Sequence, residues 1–279
     1  MSETLYGRLL DRFASQSLPP FVLSPFLKAY CKVYGVDTSD LETPFDDYGS
    51  FREFFVRPVR TGARTIDTHP DRLTSPVDGE ILGSGWFQDR PLQTMRIKGR
   101  IYTVEDLVGR SDILDGIRTG AFQLYYLAPG DYHRFHSPTD GTVTGWDYIP
   151  GTCHPVNRIG RHLFPEVYVT NRRVVIWMRS ALDPQMDVCL VLIGAMGVGR
   201  IVVDVDGERS EADGPDERRV RFDRPVPVER GQEIGCFDLG SSALLMWSED
   251  GWRTTLLVEQ GPVRLGDPVV SIGARRHDA

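Results

Sequence analysis

Lysine is nearly missing from this 279-residue chain: it occurs only at Lys28, Lys32 and Lys98, and arginine supplies the rest of the positive side-chain charge. A guanidinium stays protonated and cannot act as a Schiff-base amine, so pyridoxal chemistry, or a biotin or lipoyl arm, would need one of those three lysines. Long apolar runs are missing as well. None approaches the roughly 20 residues that a spanning helix requires. The first residues include Glu3, Arg8, Asp11 and Arg12, where a signal peptide needs an apolar core. Any membrane contact is therefore expected to be peripheral. An excess of positive charge is also lacking. The formal net charge is −7, which counts against a nucleic-acid partner, although a local basic patch could still meet anionic lipid. Cys31, Cys153, Cys189 and Cys236 form no CxxC pair and read as reduced, cytosolic thiols. There is no internal repeat and no low-complexity tract.

What is present begins with helical spacing. Leu5, Leu9, Leu10 and Phe13 recur on one face over residues 3–15, and Pro19-Pro20 closes that element. Ser24 reads as an N-cap, with Pro25 at the first helical position, and Gly35 is placed to stop the second helix after Tyr34. Residues 1–47 are thus expected to form an N-terminal helical, membrane-proximal segment. Its apolar stripes either dock on the main domain or, through Phe21, Val22, Leu23 and Phe26, face a membrane. The remainder, 48–279, is expected to be a β-rich catalytic domain. Short β-rich runs at 80–82, 122–127, 141–146, 174–178, 188–193 and 254–258 alternate with Gly, Pro and Asp. A short helix is expected near Val104–Leu107, and residues 206–226 read as an exposed loop or long hairpin. The stretches Pro76–Ile81 and Arg230–Gly235 resemble turns of biotinyl/lipoyl-type hybrid barrels, and Leu265–Val269 is a looser example. The expected class is α+β, with a hybrid-barrel-like antiparallel β core and N-terminal amphipathic helices. Such an architecture says little about function by itself.

Two of the six histidines, His133 and His136, sit three residues apart in Asp131-Tyr132-His133-Arg134-Phe135-His136-Ser137-Pro138. In a strand they would face opposite ways; in a loop they can converge. Hydrogen-bonded loop histidines are one reading. A metal pair is another, but no further Cys or His ligands have suitable spacing. Leu239-Gly240-Ser241-Ser242 reads as an ordinary turn unless a base is near. With a base, the Ser241 hydroxyl can attack the unhindered Gly240 carbonyl and shift the acyl group from nitrogen to oxygen. The histidine takes the hydroxyl proton and a carboxylate holds the imidazole. β-Elimination of the ester then leaves dehydroalanine, and loss of ammonia leaves a pyruvoyl group. Asp78, in Asp78-Gly79, is by itself a turn aspartate.

These pieces occur in an order that resembles the phosphatidylserine decarboxylases. Phe51-Arg52-Glu53-Phe54-Phe55-Val56-Arg57-Pro58 resembles the motif before that family's catalytic domain, Ser75-Pro76-Val77-Asp78-Gly79 its aspartate motif, and residues 131–138 its histidine motif. Gly151–Asn157, Leu163-Phe164 and Asn171–Val174 resemble the stretches that follow, and Gly231–Gly235 through Gly240-Ser241 the cleavage motif. The resemblance covers about residues 5–270. It implies a relay of Asp78, His136 and Ser241 that cuts the chain into 1–240 and 241–279. It makes Ser241 the precursor of a covalent pyruvoyl (pyruvate) cofactor, with no metal and no pyridoxal phosphate, and it places His133 beside that group in decarboxylation. It further implies that phosphatidylserine becomes phosphatidylethanolamine and CO2 through a Schiff base, on the cytoplasmic side of the cell membrane, in a peripheral homodimer. Two departures are Ser242, where Thr is common, and Cys153-His154, where a more apolar pair is expected. The alternatives are a pyruvoyl-dependent decarboxylase of a free aromatic amino acid, and a non-catalytic hybrid-barrel binding or carrier module. A carrier would need an attachment lysine in a hairpin, and none of the barrel-like turns contains one.

Overall fold

The computed structural model describes residues 5–87, 94–97, 99–109, 119–183, 185–195, 200–205, 207–238, 241–249 and 253–273, with the backbone alone at 5–8, 94, 97 and 241. Two helices lead the chain, Leu5–Ser15 and Pro20–Tyr34. The second starts earlier than its sequence signals suggest. Pro20 takes the first helical position, where its missing N–H costs nothing, and Pro25 lies inside the helix. Ser24 is therefore no cap: it is buried and its hydroxyl donates to Asp46. Gly35 closes the helix at φ 69°, and its N–H returns to the Cys31 carbonyl. The stripe Leu23, Leu27 and Cys31 packs on Tyr48 and Phe54. Phe21, Val22 and Phe26, by contrast, stay exposed. The suspected apolar patch is thus divided between docking and solvent. The helix Phe51–Phe55, capped by the Ser50 hydroxyl on the Glu53 N–H, completes the N-terminal layer. Among the described residues no helix is long and apolar enough to cross a membrane.

The body is an eight-stranded antiparallel sheet in the order Arg218–Val228, Gly141–Ile149, Arg173–Ser180, Asp187–Gly194, Ser241–Ser248, Gly120–Leu127, Gly79–Phe87, Gly261–Val263. Its two outer strands do not pair with each other, so the sheet is open and not a closed barrel. Alternate residues enter two cores. Tyr125, Leu127, Leu190, Leu192, Ala243 and Leu245 face one, while Phe122, Leu124, Val191, Ile193, Leu244 and Met246 face the other. Burial of both faces explains why these strands read as unbroken apolar runs. Each of the expected β-rich runs lies on a strand, except that the run 254–258 leaves its strand after Leu256.

Around this sheet lie three smaller ones. Glu208–Ala212, Ile201–Val205, Glu233–Phe237 and Arg134–His136 form the one that matters most for the site. Arg72–Thr74, Pro268–Ile272 and Thr254–Leu256 form another, and Thr94–Ile97 pairs with Arg100–Thr103. The charged stretch expected as a loop or hairpin is shared between sheets. It closes a hairpin at Gly207 and then supplies the edge strand of the large sheet, where its charged side chains protect an open edge from further pairing. The expected short helix is Val104–Val108, fixed by a capping box between Thr103 and Asp106. Two helices that periodicity did not reveal, Arg158–Leu163 and Val167–Thr170, are too short to show a stripe.

Candidate active site

The aspartate and histidine motifs run side by side. The His136 N–H donates to the Pro76 carbonyl at 2.9 Å, and the Thr74 N–H donates to the Pro138 carbonyl at 3.0 Å. On the other side of the aspartate motif, the Ser75 N–H donates to the Asp267 carbonyl at 2.8 Å, and the Gly266 N–H to the Ser75 carbonyl at 3.0 Å. The barrel-like turns thus serve to lock this motif in place. Gly79 is required there: it sits at φ 148°, and a Cβ would lie 2.4 Å from the Tyr126 carbonyl oxygen.

The cleavage motif reaches the same place from both directions. Strand Glu233–Phe237 pairs with Arg134–His136, and the Phe237 N–H donates to the His133 carbonyl at 2.8 Å. Four residues after Phe237, Ser241 pairs with Leu127 and with Gly194. The described residues on either side of the cleavage segment, Phe237 and Ser241, thus lie against the two ends of the loop between Leu127 and His133. Leu239 and Gly240 lie outside the described residues, as does the Ser241 side chain.

His133 is fully buried, with its ring centroid 4.1 Å from that of Phe55. Burial, reinforced by the nearby Arg57 cation, pushes its pKa down to about 3, against a raising effect from the Asp131 carbonyl. The ring is therefore neutral. Its Nδ1 lies 2.8 Å from the Asp131 carbonyl oxygen. A carbonyl can only accept, so Nδ1 carries the proton and Nε2 holds a lone pair. That Nε2 is buried without a hydrogen-bond partner among the described residues. His136 differs. Its Nδ1 donates to the Gly231 carbonyl at 2.8 Å, and its Nε2 accepts from the Tyr132 hydroxyl at 3.0 Å. Burial lowers its pKa too, while the Gly231 carbonyl and the negative charges of Glu233 and Asp78 oppose that shift.

Asp78 and His136 share no direct hydrogen bond. The Asp78 carboxylate accepts from Arg64 Nε at 2.9 Å and from its terminal nitrogen at 2.5 Å, and from the Leu265 N–H at 2.8 Å. Arg64 is in turn held by Asp40 at 2.6 Å. Asp78, Arg64 and Asp40 line a polar cavity of about 290 Å³ together with Arg57, Asp131 and Tyr132. Sequence reasoning missed Arg64 and Tyr132. Tyr132 lay inside a motif already singled out, but no spacing rule picks Arg64 from its turn. Also missed was Asp238, just before the cleavage segment. Burial raises its pKa to about 6 against the pull of Arg52 and Arg200. Arg52 pairs with Asp238 through one terminal nitrogen and with Asp11 of the first helix at 2.5 Å through the other. Among the described residues no group of three or more His, Cys, Asp or Glu is arranged to hold a metal.

Residues 51–271 match the family model for phosphatidylserine decarboxylase. Proteins named phosphatidylserine decarboxylase proenzyme are similar over most of their length. That of Anaeromyxobacter sp. is 34% identical over 247 residues, covering 87% of this chain and 85% of its own. That of Myxococcus xanthus is 35% identical over 253 residues, covering 89% and 87%. That of Marinobacter nauticus is 35% identical over 267 residues, covering 94% and 91%.

Proposed function

The chain belongs to the phosphatidylserine decarboxylase family and is a carboxy-lyase; on that premise we propose that it cuts itself between Gly240 and Ser241 and converts phosphatidylserine to phosphatidylethanolamine and CO2. The observation that carries this reading is that Phe237 and Ser241, which flank the cleavage segment, pair with His133 and Leu127, and that the neutral His133 imidazole keeps an Nε2 without a partner among the described residues.

In self-cleavage the Ser241 hydroxyl attacks the Gly240 carbonyl. The Gly240–Ser241 C–N bond breaks as the ester forms. Elimination then releases Gly240 as a carboxylate, and water replaces the nitrogen that leaves as ammonia. We assign the proton relay to Asp78 and His136. Asp78 acts on His136 as a nearby negative charge that favours the imidazolium, since Arg64 and Leu265 occupy its oxygens. Tyr132 must yield the His136 Nε2 for the relay to engage.

One buried hydroxyl suits a carbonyl-bearing group at position 241: Ser242 Oγ, which can donate to a carbonyl and has no partner among the described residues, while His133 Nε2 offers a lone pair. When formed, the pyruvoyl group supplies a ketone for the substrate amine and a sink for the electron pair that CO2 leaves behind. His133 serves proton movement. The low proton affinity of this buried ring makes its protonated form a strong donor to the carbon that CO2 leaves. Asp131 holds the tautomer through its carbonyl.

The exposed Phe21 and Phe26 favour substrate delivery from a membrane face, with the enzyme peripheral and, by family, a homodimer. The test combines a denaturing gel with mass spectrometry. Wild type should give two chains, the smaller beginning with a pyruvoyl group at 241. Ser241→Ala should stay full length and release no CO2, and normal processing of that variant would end the proposal. His136→Ala should block cutting, whereas His133→Ala should cut and decarboxylate poorly. Identical behaviour of the two histidine variants would remove the division of roles.

A further inference from the structure

The end of the large sheet where Ser241 begins its strand carries a second feature. A cleft of about 740 Å³ opens there, lined by Glu80, Leu82 and Tyr126 and by Arg158, Ile159 and Arg161 of the helix Arg158–Leu163. Tyr126 is the register partner of Ser242, so the cleft begins one position from the reacting residue. Arg161 lies 5.5 Å over the Tyr126 ring and donates to the Val156 carbonyl at 2.7 Å. Neither Arg158 nor Arg161 has a carboxylate ion-pair partner among the described residues.

The helix is held rigidly for so short a piece. Asn157 caps it by accepting the Gly160 N–H at 2.8 Å, and a Cβ on Gly160 would meet the Pro155 carbonyl oxygen at 1.9 Å. Yet it presents Ile159 at 70% exposure and Leu163 at 63%. Side chains so exposed contribute no burial energy to the fold, and moving them from water into an apolar phase would gain roughly 25 cal/mol per Å². The N-terminal helices meet the same end of the sheet, since Tyr30 donates to the Pro129 carbonyl at 2.5 Å, two residues beyond Leu127.

We infer that Arg158, Arg161, Ile159 and Leu163 form a phospholipid-binding lip: the arginines take the phosphodiester of a membrane glycerophospholipid, and the apolar pair enters its acyl region. Cations over an apolar lip match a lipid with its phosphate at the water boundary, and a guanidinium fork fits phosphate oxygens. The inference rests on the lipid reading of the active site and assigns this cleft as the substrate's path to position 241.

The test uses two readouts. In a chain kept whole by Ser241→Ala, flotation with phosphatidylcholine vesicles, with and without phosphatidylserine, measures binding apart from catalysis. Arg158→Gln with Arg161→Gln should weaken binding to the phosphatidylserine vesicles about five-fold per arginine, with a reduced salt dependence. Ile159→Ser with Leu163→Ser should weaken binding to both kinds of vesicle. In the processed enzyme the arginine pair should raise KM for phosphatidylserine vesicles more than it lowers kcat. Wild-type affinity and KM in the arginine variant would overturn the inference. A wild-type enzyme that leaves phosphatidylserine intact would overturn the proposed activity instead, and the flotation result would still judge the lip.

Discussion

Replacing Arg52 with Gln tests whether the N-terminal layer and the cleavage segment are joined through one buried charge. Arg52 faces Asp11 on one side and Asp238 on the other, and the Asp238 side chain is 9% exposed. Removing the cation leaves a buried carboxylate with only Arg200, 3.9 Å away. Breaking a buried pair from one side costs about 3–5 kcal/mol, and the residual Arg200 contact points to the lower end, about 3 kcal/mol. The Asp11 contact adds little, because that side chain is 40% exposed. The cost must depend on pH. Burial lifts Asp238 from 3.8 to about 6, so between those values the folded state keeps a proton that the unfolded chain has released. Its contribution to stability is complete below about pH 4 and is lost as pH rises through about 6. Arg52 offsets that loss at neutral pH. Below about pH 5 Asp238 is neutral, and the Arg52→Gln cost should fall below about 1.5 kcal/mol, that of an ordinary hydrogen bond. Urea unfolding of the Ser241→Ala chain at pH 5 and pH 7.5 measures this directly. An equal cost at both values would refute the reasoning. So would a full cost at pH 7.5 in an Asp238→Asn background, where no buried charge remains to be stranded.

Gly79→Ala should cost at least about 3 kcal/mol, because the new Cβ meets a backbone oxygen and the backbone is in a region that only glycine adopts readily; an unchanged urea midpoint would show that the aspartate turn is not fixed as described. His133→Gln should flatten the acid side of the stability profile. The folded imidazole lies far below its unfolded value of 6.5, so it supports stability above that value and loses it as pH falls toward 3. Its removal should lower the slope near pH 5 by about 1.4 kcal/mol per pH unit, and an unaltered slope would mean that the ring is not neutral. Tyr132→Phe frees the His136 Nε2, so self-cleavage should be no slower than in the parent; a block would make the hydroxyl part of the relay.

The strands were legible because both faces of the large sheet are buried, so Val188–Ile193 or Phe122–Leu127 carries an apolar residue at nearly every position. The second helix was legible in its stripe and its Gly35 stop but not in its start. Pro19-Pro20 and Ser24-Pro25 both satisfy the rules for a first turn, and what decides between them is the packing of Leu23 and Leu27 beneath the helix. Barrel-like turns were legible as turns. That they clamp the aspartate motif from the His136 and Asp267 sides could not be read from them, since hydrogen bonds between distant carbonyls leave no trace in sequence.

The same limit separates the site's motifs from its electrostatics. His133 and His136 lie three residues apart and look equivalent in sequence, yet one ring ends with a nitrogen that has no partner among the described residues and the other with both nitrogens engaged. The difference comes from where strand Arg134–His136 begins. His136 lies within it, beside the turn that supplies the Gly231 carbonyl. His133 lies just outside, where its own loop folds the Asp131 carbonyl back onto Nδ1 and Phe55 seals the other face. A slip of one residue in that strand's register would turn its side chains to the opposite face and break these contacts. The chemistry of the site therefore depends on the register between Arg134–His136 and Glu233–Phe237, and Gly235 guards it. At φ 153° its absent Cβ would lie 2.1 Å from the Val202 carbonyl oxygen on one neighbouring strand and 2.4 Å from the Phe135 ring on the other, so any side chain there must displace both neighbours.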